Sequence, residues 1–592
     1  MASNADCWFC SPWFVIVLAL LEWKLGVIRG LLQVLQQTVE RYTAPRISVP
    51  APVLKFDATP SASPLNPRSA GEGKIQCYDK GTNIPLGVVR AMTPADVQDA
   101  VARARRAQAE WARTSFSVRR KLLFSLLNYI LESQDIICKT GCVEGGKTMM
   151  DGTLGELLTT LEKLRWTAAY GEDLLAEEVR DVGLMTIHKR AAVNYVPFGV
   201  IGAIVSWNYP FHNIYGPMIS ALFAGNAFVG KVSEYSSFYA DYYQSIVRDG
   251  LKQLGYSPDL VTFVTGFAEA GEALVSSVDK VTFIGSPGVG KLVMKRASET
   301  LTPCVLELGG KDPAVVCEDA DLDQVIPVIM RGTFQNCGQN CVGLERIILH
   351  ESIHDKVVAE LKKRVAELTQ GPSSKGTYDL GAMTMGPLSV KKIQQLVDES
   401  VAAGATVLVG GKATSDFFYP PTLITNVTAT TPIALEEVFG PVLVVMKFKN
   451  DAEAVSMVNS CPYGLGSSVF SKDIARAKRI ATALHTGMTN VNDFGINYLC
   501  QSLPFGGVKI SGFDRFAGRE GLRGNCVARA STTDRIPGVQ TTIPPILQYP
   551  IGDSAFTFMT NLAEVLYGKV AGMIPAVVTL ASLKPQKREK KA

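Results

Sequence analysis

Five short apolar runs in the middle of the chain limit the possible folds more than any other feature. They are rich in Val, Ile and Phe, each ends near glycine or a polar residue, and helical stretches separate most of them: VPFGVIGAIVSWNYP, GNAFVGK, LVTFVTG, KVTFIGS and CVLELGG. Buried strands that alternate with helices form a parallel sheet with helices on both faces. The pattern therefore predicts an α/β fold with a doubly wound parallel sheet, whose ligands lie beyond the carboxyl ends of the strands.

The distribution of charge excludes one class of function. The formal net charge is +4, and the last nine residues, KPQKREKKA, carry the same +4. The rest of the chain is therefore about neutral, and we do not expect it to bind nucleic acid, which requires a basic face. The 12 cysteines are irregularly spaced and the histidines form no metal-binding pattern, so we expect neither a disulfide scaffold nor a metal site.

An uncharged block of 15 residues runs from Cys7 to Leu21. It is shorter than the roughly 20 apolar residues that span a bilayer. Three interpretations stay open: a membrane anchor, a cleaved signal peptide, or a helix docked on the body. We predict a membrane-anchor segment over residues 1–41. The basic residues after the block then place the body in the cytosol; they are Lys24, Arg29, Arg41 and Arg46.

Two further segments flank the body. Residues 42–74 contain six prolines and are predicted to form an extended tether. Residues 541–592 are predicted to contain an amphipathic helix, interrupted at Pro575, and a basic tail. A helix of this kind lies at a membrane interface or against protein, and anionic lipid would attract the tail.

Cys341 and Glu307 are candidates for covalent chemistry. Cys341 ends the run FQNCGQNC. A thiol is a weak nucleophile until it loses its proton, so it needs a nearby base or a positive environment. Glu307 lies in LELGGKDP, at the end of an apolar strand, where burial would raise the pKa of a carboxyl towards neutral pH. Taken alone, either residue would be interpreted as structural.

Together the two runs resemble the cysteine and glutamate signatures of the aldehyde dehydrogenase superfamily, including their separation of 34 residues. Five other runs resemble motifs of that family in the family's order: WNYP, GKVSE, FIGSPGVG, EEVFGP and LPFGGVKISG. The motifs cover about residues 75–540. The N-terminus, the tether and the C-terminal extension resemble the family-22 branch of plants and its membrane-tethered fungal relatives.

The resemblance implies NAD(P)-dependent oxidation of an aldehyde to a carboxylate, through a thiohemiacetal and then a thioester on Cys341. Glu307 would be the general base that hydrolyses the thioester. The oxyanion would be bound by the Asn208 side chain and the Cys341 backbone N–H. The implied cofactor-binding residues are Lys231 and Glu234 at the adenosine ribose, Gly285 and Ser286 at the diphosphate, Glu437 at the nicotinamide ribose, Phe439 beside the nicotinamide, and Trp207.

NAD is the expected cofactor, with NADP as the alternative. The Glu234 carboxylate would repel the 2′-phosphate of NADP, although Lys231 could partly compensate for that repulsion. The domains that follow from the resemblance are an NAD-binding domain over 75–306, with bridging strands at about 188–199, and an α/β catalytic domain over 307–515. A bridging strand over 516–540 would complete a small β arm.

Two other functions compete with hydrolytic oxidation of an aldehyde: acyl transfer to CoA, and a scaffold without activity. A member that transfers the acyl group to CoA usually lacks the glutamate base, and Glu307 is present. A membrane-tethered scaffold without activity would not need the complete set of motif residues. Cys337 would be either a buried spectator thiol or the partner of Cys341 in a regulatory disulfide.

Assembly and location also follow from the resemblance. The bridging strands are expected to pair between subunits in a homodimer or a dimer of dimers, because exposed edge strands are normally covered. A reactive thiol and a need for NAD favour a reducing compartment. We therefore predict an enzyme anchored in the endoplasmic reticulum membrane, with the catalytic body in the cytosol.

Overall fold

The computed structural model describes residues 32–54, 59–61 and 65–584. The block Cys7–Leu21 and the end of the basic tail lie outside these residues. Among the described helices, none combines the length and hydrophobicity needed to cross a bilayer. Two mixed, largely parallel sheets with helices on their faces confirm the predicted α/β fold.

Several helices begin at the residues expected from capping chemistry. Thr93 caps the first long helix with a capping box: its side chain accepts from the Asp96 N–H, the Asp96 side chain accepts from the Thr93 N–H, and Pro94 takes the first helical position. The helices are α1 (32–42), α2 (Pro94–Trp111), α3 (Phe116–Glu132), α4 (Gln134–Gly145), α5 (Met149–Gly152), α6 (Thr159–Leu175), α7 (Pro210–Phe223), α8 (Ala240–Gln253), α9 (Ala268–Val275), α10 (Pro287–Ser298), α11 (Leu322–Phe334), α12 (Glu351–Glu367), α13 (Pro387–Ala402), α14 (Pro432–Leu435), α15 (Asp451–Asn459), α16 (Ile474–Ala483), α17 (Ile496–Leu499), α18 (Gly518–Arg523), α19 (Ser554–Tyr567) and α20 (Val570–Ser582).

The strands are short and mostly buried in the middle of the chain, as the apolar runs predict. They are β1 (Lys74–Tyr78), β2 (Pro85–Arg90), β3 (Glu178–Arg180), β4 (Lys189–Pro197), β5 (Val200–Ile204), β6 (Ala227–Lys231), β7 (Val261–Val264), β8 (Lys280–Gly285), β9 (Cys304–Leu308), β10 (Asp312–Val316), β11 (Leu344–His350), β12 (Thr406–Val409), β13 (Thr422–Thr425), β14 (Val442–Phe448), β15 (Ser468–Phe470), β16 (Asn490–Val491), β17 (Gly512–Phe513) and β18 (Cys526–Asp534).

The first sheet has the strand order β17-β9-β8-β5-β6-β7. Strands β5 to β9 are parallel, whereas β17 pairs antiparallel with β9, placing Gly512 opposite Glu307. The predicted boundary between residues 306 and 307 falls inside β9. The predicted catalytic segment 307–515 also contains β17, a strand of the first sheet, because the chain returns there from the second sheet.

The second sheet has the order β12-β13-β14-β11-β10-β15-β16. All its pairings are parallel except that between β12 and β13. Its strands and covering helices form a continuous hydrophobic core. Both sheets belong to one compact unit, formed by the described residues between 32 and 174 and by residues 197–526.

The first part of the predicted extended tether packs on the body. Ile47 is buried, and the Ser48 N–H donates to the Asp249 carboxylate at 2.8 Å. Helix α1 is fixed as well, because Glu40 forms a buried ion pair with Arg120 at 2.6 Å. Proline favours extended backbone, but burial and these polar contacts hold the segment against the body.

Residues 175–196 and 527–584 form a second compact unit. Its three-stranded sheet has the order β18-β4-β3, and Lys189 on β4 forms an ion pair with Asp534 on β18 at 2.5 Å. The C-terminal segment differs from the prediction of one interrupted helix. The break falls at Gly568 and Lys569, between α19 and α20, whereas Pro575 lies inside α20.

Candidate active site

The ten residues that the motifs single out all line one cavity of about 1040 Å³. The cavity extends from the carboxyl ends of the first sheet to the loops of the second sheet. The ten residues are Trp207, Asn208, Lys231, Glu234, Gly285, Ser286, Glu307, Cys341, Glu437 and Phe439. A site at the strand ends is where a doubly wound sheet binds its ligand.

Cys341 and Glu307 lie side by side in this cavity. Cys341 is half-buried, whereas Glu307 is 2% exposed and its carboxylate acts electrostatically on the Cys341 thiol. Among the described residues, no hydrogen-bond partner contacts Glu307 Oε1. Burial raises the pKa of Glu307 to about 7. Burial and the adjacent Glu307 carboxylate raise the pKa of the Cys341 thiol well above its usual range. The resting thiol is therefore protonated, and the carboxyl group beside it titrates near neutral pH.

Two consecutive glycines allow this close arrangement. A Cβ on Gly310 would lie 2.4 Å from the Cys341 carbonyl oxygen, and a Cβ on Gly309 would lie 2.3 Å from the Glu437 carboxylate. Both distances are far shorter than van der Waals contact. The Gly-Gly turn after β9 therefore lets the loops of the second sheet approach Glu307.

The Asn208 side chain is buried and held in one orientation. Its Oδ1 accepts hydrogen bonds from the Ser206 hydroxyl at 2.6 Å and from the Asn213 amide at 3.1 Å. Its Nδ2 donates one N–H to the Gln339 carbonyl at 3.2 Å, two residues before Cys341. An amide nitrogen carries two N–H groups, so one remains to bind an oxygen beside the thiol.

A buried ion pair, which was not predicted from the sequence, holds the backbone carbonyl of Asn208. Lys147 Nζ lies 2.5 Å from Glu156 Oε1 and donates to the Asn208 carbonyl at 2.7 Å. The other Glu156 oxygen accepts the N–H groups of Phe211 and His212, at 3.1 and 2.9 Å, in the first turn of α7. The pair lies outside every motif, and nothing in the spacing of its two residues indicates their contact with Asn208.

The polar groups after β6 and β8 form the nucleotide side of the cavity. Lys231 ends β6, its Nζ donates to the Val232 carbonyl at 3.2 Å, and it lies 3.8 Å from the Glu234 carboxylate. Gly285 ends β8, and Ser286 is the N-cap of α10 with no capping bond from its hydroxyl. The free hydroxyl and the N–H groups of the first turn of α10 fit the diphosphate of a dinucleotide.

Glu437 and Phe439 approach from the second sheet. Glu437 accepts the Gly310 N–H at 3.0 Å, and burial together with the Glu345 carboxylate raises the pKa of Glu437 to about 8. Phe439 has a positive φ of 53°, and its ring meets that of Trp207 edge-on, with centroids 5.4 Å apart. The strained backbone at Phe439 therefore needs support from its surroundings.

A second ion pair, also missed from the sequence, gives that support. Lys311 Nζ lies 2.6 Å from Glu345 Oε2, and both side chains are buried. The Glu345 carboxylate also accepts the N–H groups of Val438 and Phe439, each at 2.9 Å. Lys311 lies inside the glutamate run LELGGKDP. A charged residue so close to buried strands was the one signal in the sequence that a buried ion pair forms there.

Cys337 is buried, and both it and Cys341 are free thiols. The Gln370 amide donates to Cys337 Sγ at 3.3 Å, and Sγ lies 3.7 Å from Met383 Sδ. Burial raises the pKa of the Cys337 thiol, which therefore stays protonated. These contacts agree with the interpretation of Cys337 as a spectator.

Comparison with known proteins agrees with this geometry. A family model described as "Aldehyde dehydrogenase family" matches residues 68–529. An aldehyde dehydrogenase-like protein of Schizosaccharomyces pombe is 40% identical over 516 residues, which cover 86% of this chain and 98% of that protein. Aldehyde dehydrogenase 1A1 of Homo sapiens is 33% identical over 463 residues, covering 76% of this chain and 89% of that protein. A solved aldehyde dehydrogenase of Mycobacterium tuberculosis complexed with NAD+ is similar with a TM-score of 0.73, at 29% identity over 80% of this chain and 96% of that chain.

Proposed function

Because the chain belongs to the aldehyde dehydrogenase family, and is thus an NAD(P)-dependent enzyme that oxidises aldehydes, we propose that Cys341 is its nucleophile and Glu307 its general base. The observation that carries this proposal is that both side chains line the same cavity, where Oε1 of the buried Glu307 carboxyl has no hydrogen-bond partner among the described residues and the pKa of Glu307 is raised to about 7. A base with such a pKa accepts a proton readily at neutral pH and releases it again.

The first step uses these two groups and Asn208. Glu307 takes the proton of the Cys341 thiol, and the thiolate attacks the aldehyde carbon to form a tetrahedral thiohemiacetal. The free N–H of Asn208 and the backbone N–H of Cys341 bind the negatively charged oxygen. Because Ser206 and Asn213 fix the amide, it is oriented before the charge develops, which is what makes such a donor effective.

The second step returns the enzyme to its resting state. Bound NAD would supply the acceptor for the hydride of the tetrahedral carbon, which would leave the acyl group on Cys341 as a thioester. Glu307 first releases to solvent the proton that it took from the thiol. It then removes a proton from water, and the resulting hydroxide attacks the thioester carbonyl. The C–S bond breaks, the proton held by Glu307 passes to the Cys341 sulfur, and the carboxylic acid loses its proton to solvent as it leaves.

The remaining motif residues are proposed to hold the cofactor. Lys231 and Glu234 would bind the adenosine ribose, and Ser286 with the first turn of α10 would bind the diphosphate. The Glu437 carboxylate would hold the nicotinamide ribose, beside the rings of Phe439 and Trp207. NAD is favoured over NADP, because Glu234 would lie close to a 2′-phosphate.

The test of this function is the product formed with a simple aldehyde, with and without CoA. We expect one NADH and one free carboxylic acid per aldehyde, and no dependence on CoA. A requirement for CoA, with an acyl-CoA product, would replace the hydrolytic mechanism by acyl transfer. Absence of NADH with every aldehyde, from a protein that binds NAD, would favour a scaffold without activity.

We also propose that the enzyme is a homodimer or a dimer of dimers. The proposal rests on the sheet β18-β4-β3, in which most residues of β18 are exposed along an edge of the sheet. An edge strand presents unpaired backbone groups that a second copy would cover. Light scattering at micromolar concentration tests this, and a monomer would contradict it.

Attachment to the endoplasmic reticulum membrane, with the body in the cytosol, remains a proposal. Its support is the block Cys7–Leu21, the exposed apolar side chains of α19 and α20, and the basic tail. Examples of these exposed side chains are Phe556, Tyr567, Val570 and Ile574. We expect the enzyme to stay in the membrane fraction after a carbonate wash and to be released by detergent. Release by high salt alone, or protection of the body from protease in intact microsomes, would contradict the proposal.

A further inference from the structure

Helix α1 packs on the catalytic body with its polar side. The Gln33 and Gln37 side-chain amides donate to the Ala169 carbonyl at 3.4 and 3.0 Å. Glu40 forms the buried ion pair with Arg120 at 2.6 Å. The three residues of α1 follow each other at spacings of four and three, so they lie on one side of the helix. The body therefore holds α1 by hydrogen bonds and an ion pair.

The other side of α1 is apolar and exposed. Four large residues there are each more than half exposed: Leu32, Leu35, Val39 and Tyr42. Their spacings of three, four and three residues place them in one line along the helix, and we call them the apolar stripe. No residue from 32 to 39 is charged. A surface helix normally turns its apolar side towards the protein, so the apolar stripe requires a partner that the described residues do not supply.

Two features of the chain favour a lipid surface as that partner. Only ten residues separate the end of the uncharged block Cys7–Leu21 from Leu32. With the block in a bilayer, α1 is therefore the described element nearest to the membrane along the chain. Tyr42, at the end of the apolar stripe, has the amphipathic ring that is enriched where a membrane meets water.

A second copy of the chain does not fit the apolar stripe as well. A coiled coil needs an apolar seam over about three or four heptads, with charged residues beside it. The apolar stripe covers eleven residues, and the residues that flank it are Gln36 and Thr38. The area that so short a stripe can bury is far below that of a stable dimer interface.

The contact with lipid is expected to be apolar and not electrostatic. Arg46 pairs with Glu132 at 3.3 Å, and Asp173 on α6 accepts from the Gln33 amide at 3.3 Å. The exposed charges around α1 are thus mixed in sign and form no basic surface for anionic headgroups. A bilayer of neutral lipid should therefore be sufficient.

We propose that α1 is an interfacial helix, which inserts the apolar stripe at the membrane surface and holds the body there through Gln33, Gln37 and Glu40. This inference rests on the proposed attachment of the enzyme to a membrane and deepens it. An interfacial helix buries its apolar side at the boundary between headgroups and acyl chains. Because α1 is fixed on the body, its insertion also determines which side of the body meets the membrane.

The test places the photo-crosslinking residue p-benzoylphenylalanine at Leu35 in the full-length enzyme on phosphatidylcholine vesicles. The matched control carries it at Leu301, an exposed leucine in a turn of the body. We expect about tenfold more lipid adduct, measured by mass spectrometry, at position 35 than at position 301. Equal yields would overturn the proposal. So would a crosslinked dimer, which makes a second copy the partner, or a crosslink to residues 7–21, which makes the block itself the partner.

Two charge substitutions in the Leu35→p-benzoylphenylalanine enzyme identify the side of α1 that meets lipid. Val39→Glu places a carboxylate on the apolar stripe and should lower the yield of lipid adduct about tenfold, because a charge resists leaving water. Val34→Glu makes the same change at an exposed residue on another side of the helix and should alter the yield little. Equal losses in two folded, NAD-binding variants would overturn the proposal.

Flotation with the vesicles separates this inference from the proposed attachment. An enzyme that floats but gives no lipid adduct at position 35 is attached elsewhere, which overturns the role of α1 and leaves the attachment intact. An enzyme that does not float contradicts the attachment, and this inference with it.

Discussion

The catalytic side and the nucleotide side of the cavity hold their functional groups differently. On the catalytic side, Glu307 and Asn208 are buried, and hydrogen bonds or ion pairs fix the groups around them. On the nucleotide side, Ser286 is exposed with no capping bond, and the Glu234 carboxylate lies 3.8 Å from Lys231. Buried groups that lose a partner are costly, whereas exposed groups are not. Changes on the catalytic side should therefore affect chemistry or folding, and changes on the nucleotide side mainly cofactor affinity.

The largest effect is expected at the thiol. Cys341→Ala removes the atom that forms the covalent bond, so turnover should be lost while NAD binding persists. Steady-state NADH production and cofactor titration by protein fluorescence measure the two properties separately. Residual turnover near the wild-type rate would exclude Cys341 as the nucleophile. Loss of NAD binding would show that the two sides of the cavity do not act separately.

The next effect concerns the base. Glu307→Gln should allow slow formation of the thioester but not its hydrolysis, so that NADH appears in a burst of at most about one equivalent per site. In the wild type, Glu307 must be deprotonated to activate water, and its pKa is about 7. The rate of hydrolysis should therefore rise with pH through about 7, and the variant should lose this dependence. Wild-type steady-state turnover in Glu307→Gln would contradict the assignment.

A smaller effect on chemistry, but a large one on folding, is expected at the Lys311–Glu345 pair. Glu345→Gln leaves the Lys311 ammonium buried without a full charge partner, which costs roughly 3–5 kcal/mol in comparable cases. The variant should also raise KM for NAD, because Glu345 holds the backbone of Val438 and Phe439. Denaturant unfolding measures the loss. Glu360→Gln, in the surface pair with Arg364, is the matched control and should change stability little. Equal stability of the two variants would refute the expected difference between a buried ion pair and a surface ion pair.

The smallest effect is expected on the nucleotide side. Glu234→Gln removes the charge proposed to repel a 2′-phosphate, so the preference for NAD over NADP should fall by about tenfold. The folding stability should not change, because the Glu234 carboxylate is partly exposed. Measurement of kcat/KM with both cofactors tests the change. A wild type that prefers NADP would refute the proposal at the outset.

Residues within motifs could be predicted from the sequence, whereas contacts between separate elements could not. The apolar runs predicted the parallel sheet, and the motifs predicted ten residues that the structure brings into one cavity. Such predictions succeed because residue type and spacing along the chain carry the information. The Lys147–Glu156 and Lys311–Glu345 pairs were missed because each depends on how separate elements pack, and a charged residue in the sequence does not name its partner. The return of the chain to the first sheet could not be predicted for a related reason, since β17 joins a sheet that began about 300 residues earlier.

The buried pair between Glu40 and Arg120 has a consequence for how the enzyme would work at a surface. A flexible linker that left the body only at residue 74 would be long, but here the chain already contacts the body at Glu40 and again at Ser48. From Glu22 to Glu40 there are 19 residues, and an extended chain reaches at most about 3.6 Å per residue. Wherever Cys7–Leu21 is bound, the side of the body that carries Arg120 must stay within that reach. That reach is about 68 Å, so the segment sets the maximum distance between the bound block and Arg120.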